Sequence, residues 1–375
     1  MKHRSKTIAI IFAILLAIVP VASFIMPDMA TSTVERRPLA QWMSLGEFQK
    51  ENVSSRLSDY FASIEDYLLD QFPLRDKIRS ISALSRRYLL LQLDHNQYFK
   101  VKGHLGKLDF NYREKAAINA INLFNRVYTD HFSGGKGKHL FALIPDKNHY
   151  MTRDSVYPAV ETELFMKTLR EHMNLSVDKV SLDKELSLDF YYRTDPHWNQ
   201  QHLRPIADAL LSNLNHRIRV SDLPFEKLSL GTFLGTYAGQ AALPIKPDEF
   251  IYLNHPSIER ARVYDPIKKD ESSVYRFDKR DSIDPYDFFL GGARPIFLIR
   301  NGQAEGERKL VVFRDSFGSS LVPLLIPAYG EILVVDLRYV RAEAIKDELH
   351  SFFDADVLFL YSTTVLNAPG AFPIS

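Results

Sequence analysis

Four short runs constrain this chain more than any other feature: KHLFALIP (138–145), KLVVFRDS (309–316), EILVVDLR (331–338) and DVLFLYST (356–363). Each is continuously apolar and rich in β-branched or aromatic residues, the pattern of a strand buried on both faces. Parallel strands of that kind need crossover connections, usually helices. The intervening sequence supplies them, since REKAAINAINLFNRVYTDHF (113–132) and PIADALLSNLNH (205–216) carry apolar residues at helical spacing. The alternation predicts a doubly wound α/β sandwich from about residue 97, with its sites at the carboxyl ends of the strands. A chain of 375 residues that is 46% hydrophobic can bury a core of that size. It contains no internal repeat and no low-complexity tract.

Two stretches carry chemistry. In KLVVFRDSFGSSLVPLL (309–325), Ser316 stands where a strand ends and a helix is expected to begin. A hydroxyl there is exposed at the sheet edge. Backbone N–H groups of Ser316 and its successors, at the positive end of the helix dipole, can face a developing oxyanion, and Gly318 allows a close approach to that pocket. The simpler reading is that Asp315 or Ser316 is a helix N-cap. In YYRTDPHWNQ (191–200), Asp195 and His197 flank Pro196. A proline pushes the preceding residue to extended geometry, and residues two apart then project to one side, so the carboxylate can orient the imidazole. The alternative is an Asx turn with a partly buried histidine beside Trp198. Together, a strand-end serine and an acid–histidine pair in one α/β domain are the parts of a nucleophilic triad.

Composition removes other chemistries. Lys and Arg total 47 against 46 Asp and Glu, a net charge of +1, so no field exists to attract nucleic acid. Cysteine is absent, which excludes disulfides, thiolate metal sites and cysteine nucleophiles. The 12 histidines include no His-x3-His pair within a helix, and His104, His131 and His216 read as surface residues, so no metal is expected. VKGHLGK and SGGKGK lack the spacing of a phosphate loop.

Lys2, Arg4 and Lys6 precede an uncharged run from Thr7 to Ile25, about the length that crosses a bilayer at ~1.5 Å per residue. The expectation is a single-pass anchor (1–26) in the cell membrane with the body on the extracytoplasmic side; a signal peptide cut after the small residues Val21 and Ser23, leaving a secreted protein, is the alternative. Residues 27–95 then form a tether and a helical stalk. The tether, PDMATSTVERRPLA, is followed by two helical stretches split by Pro73, with Leu57, Phe61, Ile64 and Leu68 at helical spacing, expected to pack as a stalk or cap on the main domain, 96–375.

These residues resemble the DHHW family of bacterial surface proteins, relatives of the alginate O-acetylation proteins. The resemblance is carried by DYLLDQFPLRDKI, IPDKNHY, YYRTDPHWN, LGTFLGTYAGQA, YDFFLGG, FRDSFGSSLVPLLIPAYGEILVVDLRYV and VLFLYST. Pro196 departs from the family's name-giving pattern, where a histidine is usual. The resemblance implies an SGNH-hydrolase-like three-layer fold with a mostly parallel sheet, and an acid and histidine that precede the serine. It implies Ser316 as nucleophile, His197 as general base and Asp195 as its orienter, with no cofactor. Arg338 and Tyr361, at the next strand ends, then become oxyanion or substrate candidates, with Trp198, Lys147 and Asn148 beside them. The other reading of Arg338 is a partner for Asp336, of Tyr361 a core residue, and of Lys147 an ordinary polar loop. The implied activity is transfer of acetyl groups to hydroxyls of a cell-surface or exported polysaccharide through an acetyl-serine. A multi-pass membrane O-acyltransferase is the implied acetyl supplier. A membrane-anchored carbohydrate acetylesterase would use the same residues, and a non-catalytic polysaccharide-binding or scaffold protein would tolerate their loss.

Overall fold

The computed structural model describes residues 25–51, 56–302 and 308–372. All but the last two residues of the expected anchor therefore lie outside the described residues, and among the described residues no helix is long and apolar enough to cross a membrane. The chain divides into two compact units, one of the residues up to Asn96 with Ala238–Ile245, the other of Gln97–Tyr237 and Lys246 onward.

The first unit holds a short hairpin, β1 (Thr31–Ser32) with β2 (Arg37–Pro38), and helices Leu45–Glu51, Leu57–Asp70 and Arg75–Tyr88. The second and third helices are separated at Pro73, and Leu74 turns the chain with a positive φ of 58°. An ion network holds the unit together: the Asp70 carboxylate takes Arg37 and Arg75, and the buried Glu35 takes Arg37, Arg75 and Arg79. Leu57, Phe61 and Leu68 are exposed, and Ile64 is half-buried.

The second unit is mixed α/β. It opens with a hairpin, β3 (Tyr98–Val101) and β4 (His104–Lys107). β5 (His139–Ile144) and β6 (Asp178–Ser181) follow, then a second hairpin, β7 (Glu226–Phe233) and β8 (Asp248–Asn254). The remaining strands are β9 (Arg262–Asp265), β10 (Asp270–Ser272), β11 (Ile296–Arg300), β12 (Lys309–Arg314), β13 (Glu331–Val335) and β14 (Asp356–Ser362). Eight of these form one sheet in the order β10-β9-β11-β13-β12-β14-β5-β6. The stretch β13-β12-β14-β5-β6 is parallel throughout, and the four apolar runs of the sequence are its four adjacent members β13, β12, β14 and β5. β11, β9 and β10 extend it as an antiparallel wing. The outer two, RVYD and DES, are short and partly exposed, which is why no apolar run marks them.

Both faces of the sheet are covered, as continuous apolarity requires. Leu140, Ala142, Val312, Leu358 and Leu360 face one core, with residues of helices Arg204–Asn213 and Gly318–Leu325. Phe141, Leu143, Val311, Phe313 and Phe359 face the other, with residues of Glu114–His131 and Thr162–His172. The strict alternation of neighbours between two cores makes three layers and leaves the carboxyl ends of β12, β14 and β5 side by side.

Candidate active site

Ser316 lies one residue beyond the loop residue that follows β12, in a turn held by Asp315. That carboxylate is buried and uses both oxygens: Oδ1 accepts from Phe317 N at 3.0 Å, and Oδ2 from Ser362 N at 2.7 Å, at the end of the adjacent β14. Asp315 O accepts from Gly318 N and Ser316 O from Ser319 N, both at 3.1 Å, starting the helix Gly318–Leu325. The N–H groups of Phe317 and Gly318 are therefore spent within the turn and cannot face an oxyanion, contrary to the expectation for the residues after Ser316. The Ser316 N–H itself donates to no group among the described residues.

The Asp195–His197 segment is a bent loop rather than an extended one. A bridge between Tyr191 and Trp198 closes it, with Tyr192 N donating to His197 O at 3.0 Å. Asp195 Oδ1 accepts from His197 N at 3.1 Å, an Asx turn, and also from His197 Nδ1 at 2.7 Å. The turn and the acid–histidine pair thus coexist. Because a carboxylate only accepts, Nδ1 carries the proton of a neutral imidazole and Nε2 is the acceptor. His197 Nε2 lies 2.7 Å from Ser316 Oγ, a contact across 119 residues of sequence. Asp195 is buried, whereas His197 and Ser316 are half-buried and reach solvent.

Several neighbours fix this arrangement. Thr236 donates to Asp195 Oδ2 from N at 2.9 Å and from Oγ1 at 3.2 Å. A Cβ on Gly235 would lie 2.3 Å from Asp195 Cβ, so only glycine lets the two segments approach. Asp248 holds the preceding residues, accepting from Arg193 N and Thr194 N at 3.0 and 2.9 Å. The His197 ring stacks on Tyr286, with centroids 4.1 Å apart and planes at 11°. None of Thr236, Gly235, Asp248 or Tyr286 was legible as a site residue, because each is an ordinary residue until the loops meet.

The remaining candidates fall into place differently. Lys147 is fully buried, and its Nζ donates to the carbonyls of Tyr192 at 3.0 Å and Asp195 at 2.8 Å. Burial pushes its ammonium down to about 8, so it is still protonated at neutral pH. It acts through the Asp195 loop, not on a substrate. Asn148 is likewise buried, its amide donating to Lys107 O at 2.6 Å. Trp198 is a core residue whose Nε1 donates to Phe317 O at 2.9 Å, tying the histidine loop to the serine turn. Arg338 is committed to Asp336 through Nε at 2.9 Å and Nη2 at 2.7 Å. Tyr361 points into the second core, its ring stacked on Phe124 at 4.7 Å, with no exposed surface to offer a substrate. Gly318 faces the chain rather than a pocket: an added Cβ would meet Arg314 Cβ at 2.8 Å. His104, expected at the surface, is buried, while His131 and His216 are half-buried.

A cation unmarked by the sequence reading lies under the turn. Arg314 is buried and donates to Asp315 O at 3.2 Å, Ser319 Oγ at 3.0 Å and Gly292 O at 3.1 Å, while its Nε has no partner among the described residues. This guanidinium, two residues before Ser316 in sequence, forms no ion pair with a carboxylate among the described residues, and its charge favours negative charge developing near it. A cavity of about 450 Å³ opens at the ends of β5 and β14, lined by residues that include Asp109, Asp146, His149, Tyr237 and Thr364. It contains none of Asp195, His197 and Ser316, but Lys147 Nζ lies 5.0 Å over the Tyr237 ring at its wall. Among the described residues no group of three or more His, Cys, Asp or Glu side chains is placed to hold a metal ion.

No family model matches the sequence, and no curated protein matches it. Solved structures do match. A DHHW family protein from Eubacterium siraeum aligns over 74% of this chain and 94% of its own at 21% identity, with a TM-score of 0.59. PatB1 from Bacillus cereus, in a structure with a sulfonyl adduct, aligns over 76% of this chain and 99% of its own at 16% identity, with a TM-score of 0.56. The O-acetyltransferase domain of AlgJ from Pseudomonas putida aligns over 74% and 95% at 13% identity, with a TM-score of 0.44. The chain shares its fold with a DHHW family protein and with PatB1.

Proposed function

We propose that this chain is an extracytoplasmic serine-dependent O-acetyltransferase that moves acetyl groups to polysaccharide hydroxyls through an acetyl-serine on Ser316. The observation that carries the reading is the unbroken link from Asp195 Oδ1 through His197 to Ser316 Oγ, with both contacts at 2.7 Å. His197 Nε2 takes the Ser316 proton as Oγ attacks the acetyl carbonyl, and Asp195 stabilises the imidazolium that forms. The tetrahedral oxyanion meets the free Ser316 N–H in the field of Arg314. The donor's leaving group departs with the proton from His197. A sugar hydroxyl then gives its proton to His197 and attacks the acetyl-serine, which restores Ser316. A half-buried serine also admits water, so hydrolysis competes wherever no acceptor is bound. The shared fold adds support of one kind: a sulfonyl adduct, as in the PatB1 structure, is what an activated nucleophile forms with a sulfonyl electrophile. A multi-pass membrane acyltransferase that delivers acetyl groups across the membrane fits a body held outside by an N-terminal segment.

The test incubates the purified full chain with an activated acetyl ester, with and without cell-surface oligosaccharides, and reads protein and glycan by mass spectrometry. Acetyl on Ser316 that moves to sugar is the expected result, and Ser316→Ala and His197→Ala should each abolish it while retaining a native circular dichroism spectrum. Acetyl-serine lost only to water would make the chain an esterase. A Ser316 that acquires neither acetyl nor an active-site serine probe would leave a binding or scaffold role.

A further inference from the structure

Large apolar side chains are exposed very unevenly. Of the twenty-seven so exposed among the described residues, seventeen lie between Ile25 and Leu93, in less than a quarter of the chain. The longest continuous piece is the helix Arg75–Tyr88 and the LLLQL that follows it. Ile78, Ile81 and Tyr88 are spaced by three and seven residues, one face of the helix, Leu74 immediately precedes its first residue, and all four are exposed. The opposite face is occupied: Arg75 and Arg79 pair with Glu35, and Ala83 is buried. Leu89, Leu90, Leu91 and Leu93 prolong the exposed stripe, and the exposed Lys77 borders it. A patch of this extent on a folded protein calls for a covering.

What covers it follows from where the rest of the chain leaves. The uncharged run Thr7–Ile25 ends at the first residues of this unit. Met29 N donates to Gln71 Oε1 at 2.9 Å, Gln71 Nε2 donates to Met29 O at 3.0 Å, and the Tyr67 hydroxyl donates to Asp28 at 3.1 Å. The residues that emerge after the apolar run are thus fastened to positions three and seven residues before the stripe begins. A bilayer crossed by Thr7–Ile25 lies within reach of Leu74, and a helix of 14 residues, about 21 Å long, can lie along its surface.

We propose that the Leu74–Leu93 stripe lies in the lipid interface of the same bilayer, as an amphipathic element seated beside the anchor. Two attachments then hold this unit: a segment through the membrane and a stripe on it. The proposal rests on the anchor and not on the acetyl-transfer reading, so the two can fail separately.

The native chain has no cysteine, so single probes can be placed at will. Full-length Ile81→Cys, Leu90→Cys and Leu175→Cys proteins, each carrying an environment-sensitive fluorophore, are reconstituted into phosphatidylethanolamine–phosphatidylglycerol vesicles with and without brominated lipid. All three positions are exposed, with Leu175 in the second unit as the control, so none disturbs a core. Flotation establishes that each protein is vesicle-bound. The expected result is a fluorescence loss of at least twofold by brominated lipid at positions 81 and 90 and none at 175. Solvent-like, unquenched probes at 81 and 90 on floating protein would overturn the proposal. Shielded probes that lipid does not quench, with cross-links between copies at those positions, would assign the stripe to a second copy and overturn it equally.

Discussion

Asp195 has no spare acceptor. Oδ1 serves the backbone and ring of His197, and Oδ2 serves Thr236. Asp195→Asn keeps the shape but presents an amide N–H2 on one side, which drives the imidazole toward the tautomer that cannot accept the Ser316 proton. Acetyl transfer should fall about 10⁴-fold, with a native circular dichroism spectrum. A loss below tenfold, measured as kcat on an activated acetyl ester, would mean that the carboxylate does not set the tautomer. The candidate residues divide in a revealing way at this level. Ser316, His197 and Asp195 were legible because their types suit one chemistry and their flanking residues fit a strand end and a proline turn. Arg338 and Tyr361 were equally suggestive by position, yet one is held by Asp336 and the other by Phe124.

The hairpin β3–β4 has no place in the sheet, but it braces the histidine loop. Leu105 N donates to Arg193 O at 2.8 Å, and the neighbouring His104 bonds the Tyr192 carbonyl while its Nδ1 lacks a partner among the described residues. Burial, with Lys147 nearby, lowers the His104 pKa from 6.5 to about 4. In that window the unfolded chain binds a proton that the folded chain refuses. Stability from this group is complete above pH 6.5 and is lost as pH falls toward 4, by up to about 3 kcal/mol. Urea melts at pH 7 and pH 4.5 should therefore show a larger acid loss in the native chain than in His104→Leu. Equal losses would place the titration elsewhere, for example at His139, which burial also lowers.

The core is rich in tyrosine. Burial raises Tyr191, Tyr192, Tyr237 and Tyr361 well above 10. Above that pH the unfolded chain releases protons that the folded chain keeps, so stability falls as pH climbs past 10. Lys147 works in the opposite sense between about 8 and 10.5, and Lys179 is also lowered, but the raised tyrosines outnumber these two lysines. The molecule should unfold on the alkaline side in a single transition in which tyrosinate absorbance and loss of circular dichroism coincide; tyrosinate appearing first, in a still-folded chain, would show that these hydroxyls reach water. Local pattern reaches this far and no further. Continuous apolarity marked β5, β12, β13 and β14 as buried parallel strands, since an element buried on both faces must be apolar at every position. It did not mark β9 and β10, whose short, partly exposed strands carry no such signal. Periodicity also found the helices Leu57–Asp70 and Arg75–Tyr88, but could not say which residues of their apolar rows would be exposed, because spacing records a face and not its partner. Residue type proposed the serine and the histidine. Only strand order and loop packing brought them within 2.7 Å across 119 residues and left Ser316 as the turn's unspent N–H.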